Sequence, residues 1–212
     1  MTKYEGNVLF SVLEAEVPES FFSSVIRSFW TAYEVAHNLA FANHAPPEAH
    51  DLLPYLRRAK IEESLRDIAS RSGLLTTYEK NEGKNAWYTQ IQTSNCVFTA
   101  SSVEGPQQMV RSAIFRETLA ASAQLSLFSS NEEEGKAFYG IFLHGPDVLE
   151  PSRPAFIRLG FPSKDCKSWV ENIDLYIYCN FDMKQLLTEV AEECVEIASP
   201  VLLPSVGVRK KA

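Results

Sequence analysis

The sequence lacks the features that mark several common classes of protein. It has four cysteines and four histidines in 212 residues, and no two cysteines have the C-x-x-C spacing of a zinc site. The sequence therefore predicts neither a structural metal nor a cofactor. No uncharged apolar run approaches the roughly 20 residues that span a bilayer, and no signal-peptide pattern is found. We expect a cytoplasmic protein that does not contact a membrane.

Positive charge is also scarce. Lysine and arginine number 20 against 27 acidic residues, so the net charge is −7. Nucleic-acid binding depends on many basic side chains that neutralise phosphates, and this balance argues against a protein whose whole surface binds nucleic acid. An acidic surface instead suits a basic protein partner. A protein partner is the first expectation, and any nucleic-acid contact is expected to be weak; the oligomeric state is left open.

The cysteines are expected to be free thiols. A chain of this length does not need disulfides, and nothing indicates secretion. Cys96 and Cys179 lie in strand-like runs and Cys194 in a helical apolar stripe, while Cys166 lies in a connection. Buried cysteine in such settings acts as a small apolar residue.

The first third of the chain has the apolar spacing of two helices. The first begins near Pro18. Its broad apolar face is formed by Phe22, Val25, Ile26, Phe29, Trp30, Tyr33, Ala36, His37, Ala40 and Phe41. The second is predicted from an N-cap at Asp51, with Pro54 in its first turn, to a stop at Gly73. Before them, Asn7–Glu14 is predicted as a short strand, although a helical turn fits nearly as well.

Short runs rich in Thr, Tyr, Val and Phe follow, and turn residues separate them. We predict strands over 74–80, 86–92, 96–103, 137–143, 155–161 and 173–181. Helices are predicted from Pro106 to Gln124 and over 183–198. The elements do not alternate strictly between strand and helix. The sequence therefore predicts an α+β fold, with a mainly antiparallel sheet of about five to six strands packed with helices, including an N-terminal helical pair.

Three regions follow from this pattern. Residues 1–73 form an N-terminal helical region, 74–200 an α+β sheet region, and 201–212 a mobile tail that ends in basic residues. Gly73 indicates a turn rather than a linker, so the first two regions are either separate or one continuous domain.

No catalytic residue is assigned. Glu34 and His37 have the spacing of a carboxylate-bridged metal site, but no second pair exists. A zinc site formed by His37, His44 and His50 would need a loop to bring them together. His144 ends a strand, where functional groups are common, and it would act on Cys96 or Cys166 only if the fold joined them.

The only basic concentration lies between residues 57 and 84, where seven basic residues face five acidic ones. Such a segment is typical of a solvated helix face. As an alternative, Arg57, Arg58, Lys60 and Lys84 would contact nucleic acid from the second helix and the hairpin after it. A helix-turn-helix is not expected, because the predicted connection between the helices, 43–51, is too long.

The last predicted helix carries the densest acidic surface, formed by Glu189, Glu192, Glu193 and Glu196. We expect a non-catalytic binding or regulatory protein, in its most concrete form an antitoxin- or immunity-type protein that neutralises a basic, nucleic-acid-acting partner through these residues. The alternatives are a metal-dependent nuclease or small hydrolase, and a nucleic-acid-binding regulator.

Overall fold

The computed structural model of the chain describes residues 8–18, 20–83, 86–128 and 138–182. Five helices and six strands lie within these ranges. They are α1 (Val8–Glu16), α2 (Ser20–Asn43), α3 (Pro46–Arg71), β1 (Leu75–Lys80), β2 (Trp87–Gln92), β3 (Cys96–Ser102), α4 (Ile114–Phe128), β4 (Phe138–Pro146), β5 (Pro154–Pro162), β6 (Trp169–Asp174) and α5 (Leu175–Tyr178).

The six strands form one sheet in sequence order. Strands β3 and β4 are parallel and are connected through α4, whereas the other four pairings are antiparallel. The predicted α+β fold, its mainly antiparallel sheet and its N-terminal helices are therefore confirmed. The tight turns that the sequence predicts explain why β1, β2 and β3 are neighbours in the sheet.

Side chains alternate between the two faces of the sheet along each strand. Helices pack against both faces. Phe98 and Phe142 point to the first face, where they pack in a core with α1, α2, α3 and α5. Val97 and Ile141 point to the second face, where they pack with Ala120 of α4. One cluster of buried side chains thus joins the N-terminal helices to the strands.

Helices α2 and α3 form an antiparallel hairpin whose connection is only His44 and Ala45. The predicted start of the second helix at Asp51 is wrong, because Pro46 and Pro47 occupy its first turn, where no backbone N–H is needed. The long connection that argued against a helix-turn-helix is also wrong. The two helices nevertheless pack along their length, unlike the crossed pair of that motif.

The predicted strand over Asn7–Glu14 is wrong, since these residues from Val8 onward belong to α1. Leu9, Leu13 and Val17 are buried at intervals of four residues, which is the spacing of one helix face. Short apolar runs do not distinguish a strand from a helix, and packing against the sheet decides here.

The helix predicted from Pro106 begins only at Ile114. The segment before it is held in an irregular path by β6, because Asn172 Nδ2 donates to the Pro106 carbonyl and Trp169 Nε1 to that of Gln107.

The strand predicted over 173–181 ends at Asp174, whose carboxylate accepts the N–H groups of Tyr176 and Ile177 and starts α5. The predicted final helix and the tail lie outside the described residues.

Candidate functional site

A buried polar cluster lies between α2 and β4. The Tyr33 hydroxyl and His144 Nδ1 share a hydrogen bond of 2.8 Å, and the His144 ring meets Phe29 edge to face. His144 is 3% exposed, and burial lowers its pKa to about 3. The imidazole is therefore neutral at physiological pH, and solvent does not reach it. These properties are those of a packed histidine rather than an accessible base.

Arg57 extends this cluster from α3. Its guanidinium lies 5.1 Å from the ring centre of Tyr33, and Nη2 donates to the Pro151 carbonyl at 2.6 Å. The residue is 9% exposed, and burial lowers its pKa. Within the described part of the chain its Nε has no hydrogen-bond partner. Arg57 therefore fastens the loop between β4 and β5 to the helices, and its charge is turned away from solvent.

The thiols do not meet His144. In the β3–β4 ladder Cys96 pairs with Phe138, whereas His144 pairs with Ser102, six residues and roughly 20 Å further along the strands. Cys166 packs with the cluster on the α4 side of the sheet. The nucleophile and base considered from the sequence are thus not brought together. Cys96, Cys166 and Cys179 are free thiols, Cys96 is buried in the core as a small apolar residue, and Cys194 lies outside the described residues.

The remaining histidines lie near the α2–α3 connection. His37 stacks on Phe41 with ring centres 4.5 Å apart, and His50 meets the same ring edge to face at 5.1 Å. The phenyl ring thus separates two of the ligands considered for zinc. Among the residues whose positions are described, no three His, Cys, Asp or Glu side chains are placed to hold a metal ion.

An open surface of different character lies where α3 overhangs the β1–β2 hairpin. In this antiparallel pair Lys80 is opposite Trp87 and Tyr78 is opposite Thr89, so all four side chains share the α3 face. The rings of Tyr78 and Trp87 stack 5.0 Å apart at 19°, and each residue is 46% exposed. The guanidinium of Arg66 lies 4.3 Å from the Tyr78 ring centre.

The Lys80 ammonium lies 5.3 Å from the Trp87 ring centre. Arg66, Tyr78, Trp87 and Lys80 thus form a row, which we call the aromatic–cation row, with a cation at each end and two exposed rings between them. Arg58 adjoins it from α3, because its Nη2 donates to the Trp87 carbonyl at 2.8 Å.

Acidic groups of the hairpin are kept off this surface. Glu79 is opposite Tyr88 in the register and so points to the other face. Burial raises the pKa of the Tyr88 hydroxyl, and the negative charges of Glu79 and Glu82 add to this effect. Glu62 of α3 is buried beneath the row and accepts the Thr89 N–H at 2.6 Å. Burial raises the pKa of Glu62, against the opposing charges of Arg58 and Arg66. The two charged groups that lie over the rings, those of Arg66 and Lys80, are both positive.

The four basic residues singled out in the sequence have different surroundings. Arg57 is buried, as described above, and Arg58 is exposed beside Trp87. Lys60 pairs with Glu63 one helical turn away, with Nζ and Oε2 2.8 Å apart. Lys84 lies outside the described residues. The four acidic residues predicted to meet a partner, Glu189, Glu192, Glu193 and Glu196, lie outside them too.

Sequence reasoning missed Tyr78 and Trp87 as surface groups. The signal was available in the hairpin, because a turn between residues 80 and 87 places Lys80 opposite Trp87. Alternation along β1 then puts Tyr78 on the same face as Lys80.

Comparisons with known protein families, curated proteins and solved structures give no match for the chain. No helix within the described ranges has both the length and the apolar character needed to cross a bilayer. Function is therefore inferred from the geometry of the site alone.

Proposed function

We propose that this protein is a non-catalytic nucleic-acid-binding protein, and that it binds through the aromatic–cation row and Arg58. The observation that carries this proposal is the row itself: two stacked, half-exposed rings with a cation beyond each. Aromatic rings interleaved with basic side chains provide stacking for bases and charge for phosphates. The buried groups of the Tyr33–His144 cluster, by contrast, are shielded from any ligand in solvent.

The number of cations sets the expected strength of binding. Arg58, Arg66 and Lys80 provide at most three phosphate contacts, each of which releases about 0.7 to 0.9 counterion. The chain as a whole carries a net charge of −7, which repels a polyanion. Affinity is therefore expected to be modest, and log K should fall by about two to three for a tenfold rise in salt.

Matched charge variants test the proposal. The double variant Arg58→Gln/Lys80→Gln removes two exposed cations of the surface, and Lys164→Gln/Lys167→Gln removes two exposed cations from the β5–β6 turn. Anisotropy titrations with labelled oligonucleotides should show about tenfold weaker binding for the first variant and a slope of log K against log salt that is smaller by about two. Equal behaviour of the two variants would contradict the assignment of the surface.

The non-catalytic part of the proposal is supported by the engagement of His144 with Tyr33 and by the distance of Cys96 from it. An oligonucleotide incubated with the protein and Mg²⁺ should remain intact at the concentrations that give full binding. Cleavage that survives in the Arg58→Gln/Lys80→Gln variant would instead favour the nuclease or hydrolase alternative.

A second proposal is the neutralising partner expected from the acidic sequence. It is favoured by charge. Residues 57–84 are slightly basic while the net charge of the whole chain is −7, so the rest of the chain is strongly acidic. Replacing Glu189, Glu192, Glu193 and Glu196 with Gln should slow association with a basic protein partner and flatten its response to salt. Identical association kinetics for the wild type and this variant would contradict it.

A further inference from the structure

The two ends of the aromatic–cation row differ in how firmly they are held. At one end Arg66 is half-buried, lies close over Tyr78, and its Nη1 donates to Thr89 Oγ1 at 3.2 Å. At the other end Lys80 is exposed and lies further from its ring, at 5.3 Å from the Trp87 centre. Lysine is a strongly hydrated charge on a flexible stem. A ligand should therefore displace the Lys80 ammonium from its ring more easily than the Arg66 guanidinium.

The ring faces also limit the form of nucleic acid that fits. In a duplex each base is already stacked on both sides, so its face is not available to a protein ring. An unpaired base can be splayed out and stacked on an aromatic side chain. Trp87 presents the larger ring of the row and is 46% exposed.

We propose that the surface selects single-stranded nucleic acid, DNA or RNA, and that Trp87 stacks an unpaired base in the place of the Lys80 ammonium. The displaced ammonium and Arg58 then bind the flanking phosphates, while Arg66 keeps Tyr78 in position behind Trp87. This inference rests on the proposed nucleic-acid binding and deepens it. No bond is made or broken, and base stacking of this kind is expected to be tolerant of sequence.

The test is a fluorescence titration of the full chain at about 0.1 M salt with oligonucleotides of about 15 nucleotides: single-stranded DNA, single-stranded RNA and a DNA duplex. Stacking on Trp87 should quench tryptophan emission. The Trp87→Phe variant retains a ring and supplies the background emission of Trp30 and Trp169. We expect single strands to bind about tenfold more tightly than the duplex, and to quench the wild type but not Trp87→Phe.

Trp87→Ala should weaken single-strand binding about tenfold and leave duplex binding unchanged. Ile177→Ala, which removes an exposed apolar side chain from α5, is the control and should change neither. Thermal melts of each variant should match the wild type, because Trp87 is half-exposed.

Three results would overturn the inference. If the duplex binds as tightly as single strands and Trp87→Ala is neutral, the single-strand selection is wrong while the proposed function stands. If an extended peptide binds instead, at the edge of β1, the surface has a protein ligand and both proposals fail. If nothing binds even at low salt, both fail as well.

Discussion

Helix α3 carries two arginines that each lie over a tyrosine ring, and the two have opposite surroundings. Arg57 lies over Tyr33 in the interior, where its guanidinium donates to a loop carbonyl and is 9% exposed. Arg66 lies over Tyr78 at the edge of the sheet, where the ring is 46% exposed. The pairwise contact is similar, but only the second pair is reachable from solvent.

The difference shows that the neighbours of an arginine–aromatic pair determine its role. Around Arg57, the loop between β4 and β5 closes over the helices, and His144 satisfies the Tyr33 hydroxyl. Around Arg66, β1 is the edge strand of the sheet, and among the described strands only β2 pairs with it beside Tyr78. A buried pair of this kind contributes to folding, whereas an exposed pair is worth only about 0.5–1 kcal/mol and can be exchanged for a ligand.

The largest expected effect concerns the closed region. His144→Ala should lower the free energy of unfolding by about 2–4 kcal/mol, because it leaves a cavity beside Phe29 and a buried Tyr33 hydroxyl without a partner. Chemical denaturation measures this loss. Oligonucleotide affinity at a temperature where the variant is folded should not change, and a parallel loss of affinity would mean that the two regions are not independent.

The same histidine gives a pH dependence of stability. Its pKa in the folded protein is about 3, against 6.5 for an unperturbed imidazole, because burial disfavours the charged form. The unfolded chain therefore takes up a proton that the folded chain does not. The contribution of His144 to stability is complete above about pH 6.5 and is lost as the pH falls toward 3, by about 1.4 kcal/mol per unit.

The control is His144→Asn, which offers Tyr33 a polar partner but does not titrate. The free energies of unfolding of the wild type and of His144→Asn should converge as the pH falls from 7 to 4, since only the wild type loses the histidine contribution. Parallel pH profiles for the two proteins would contradict a neutral buried imidazole.

A smaller effect sharpens the open region. Glu62→Gln keeps an oxygen acceptor for the Thr89 N–H but removes the carboxylate beneath Arg58 and Arg66. Oligonucleotide affinity should rise about twofold at low salt, because the carboxylate no longer repels a phosphate bound beside it.

Stability gives an independent check of this variant. Burial raises the pKa of Glu62 in the folded protein. The contribution of Glu62 to the free energy of unfolding is therefore most favourable below pH 4.5, and it falls as the pH rises through the pKa of the folded state. The variant should therefore gain stability relative to wild type as the pH rises. A variant that binds more weakly and melts lower would show that the carboxylate supports the surface.

Much of the fold was predictable because strand signals are local. Alternating aromatic and β-branched residues with turn residues between them gave β1 to β5 to within a few positions. Errors arose where distant residues decide the outcome. Pro106 looks like a helix start, but Asn172 and Trp169 hold its segment in another path. Asp174 interrupts an apolar run by capping α5.

The candidate site was predictable only in part. The basic excess of residues 57–84 pointed to α3 and the hairpin, and that is where the row lies. Charge alone did not separate buried Arg57 from exposed Arg58, because adjacent helix positions differ by about 100° and only packing shows which faces inward. The rings were missed because their exposure depends on β1 being the edge of the sheet.

The most direct test of the comparison is the affinity of Arg57→Gln and Arg66→Gln for one labelled single-stranded oligonucleotide, measured side by side at low temperature. These variants make the same change on the same helix. Arg66→Gln should weaken binding about fivefold or more, because it removes the cation that keeps Tyr78 in position behind Trp87, while Arg57→Gln should bind like the wild type although it unfolds more easily. Equal affinities for the two variants, or a loss confined to Arg57→Gln, would contradict the division into a closed structural pair and an open binding pair.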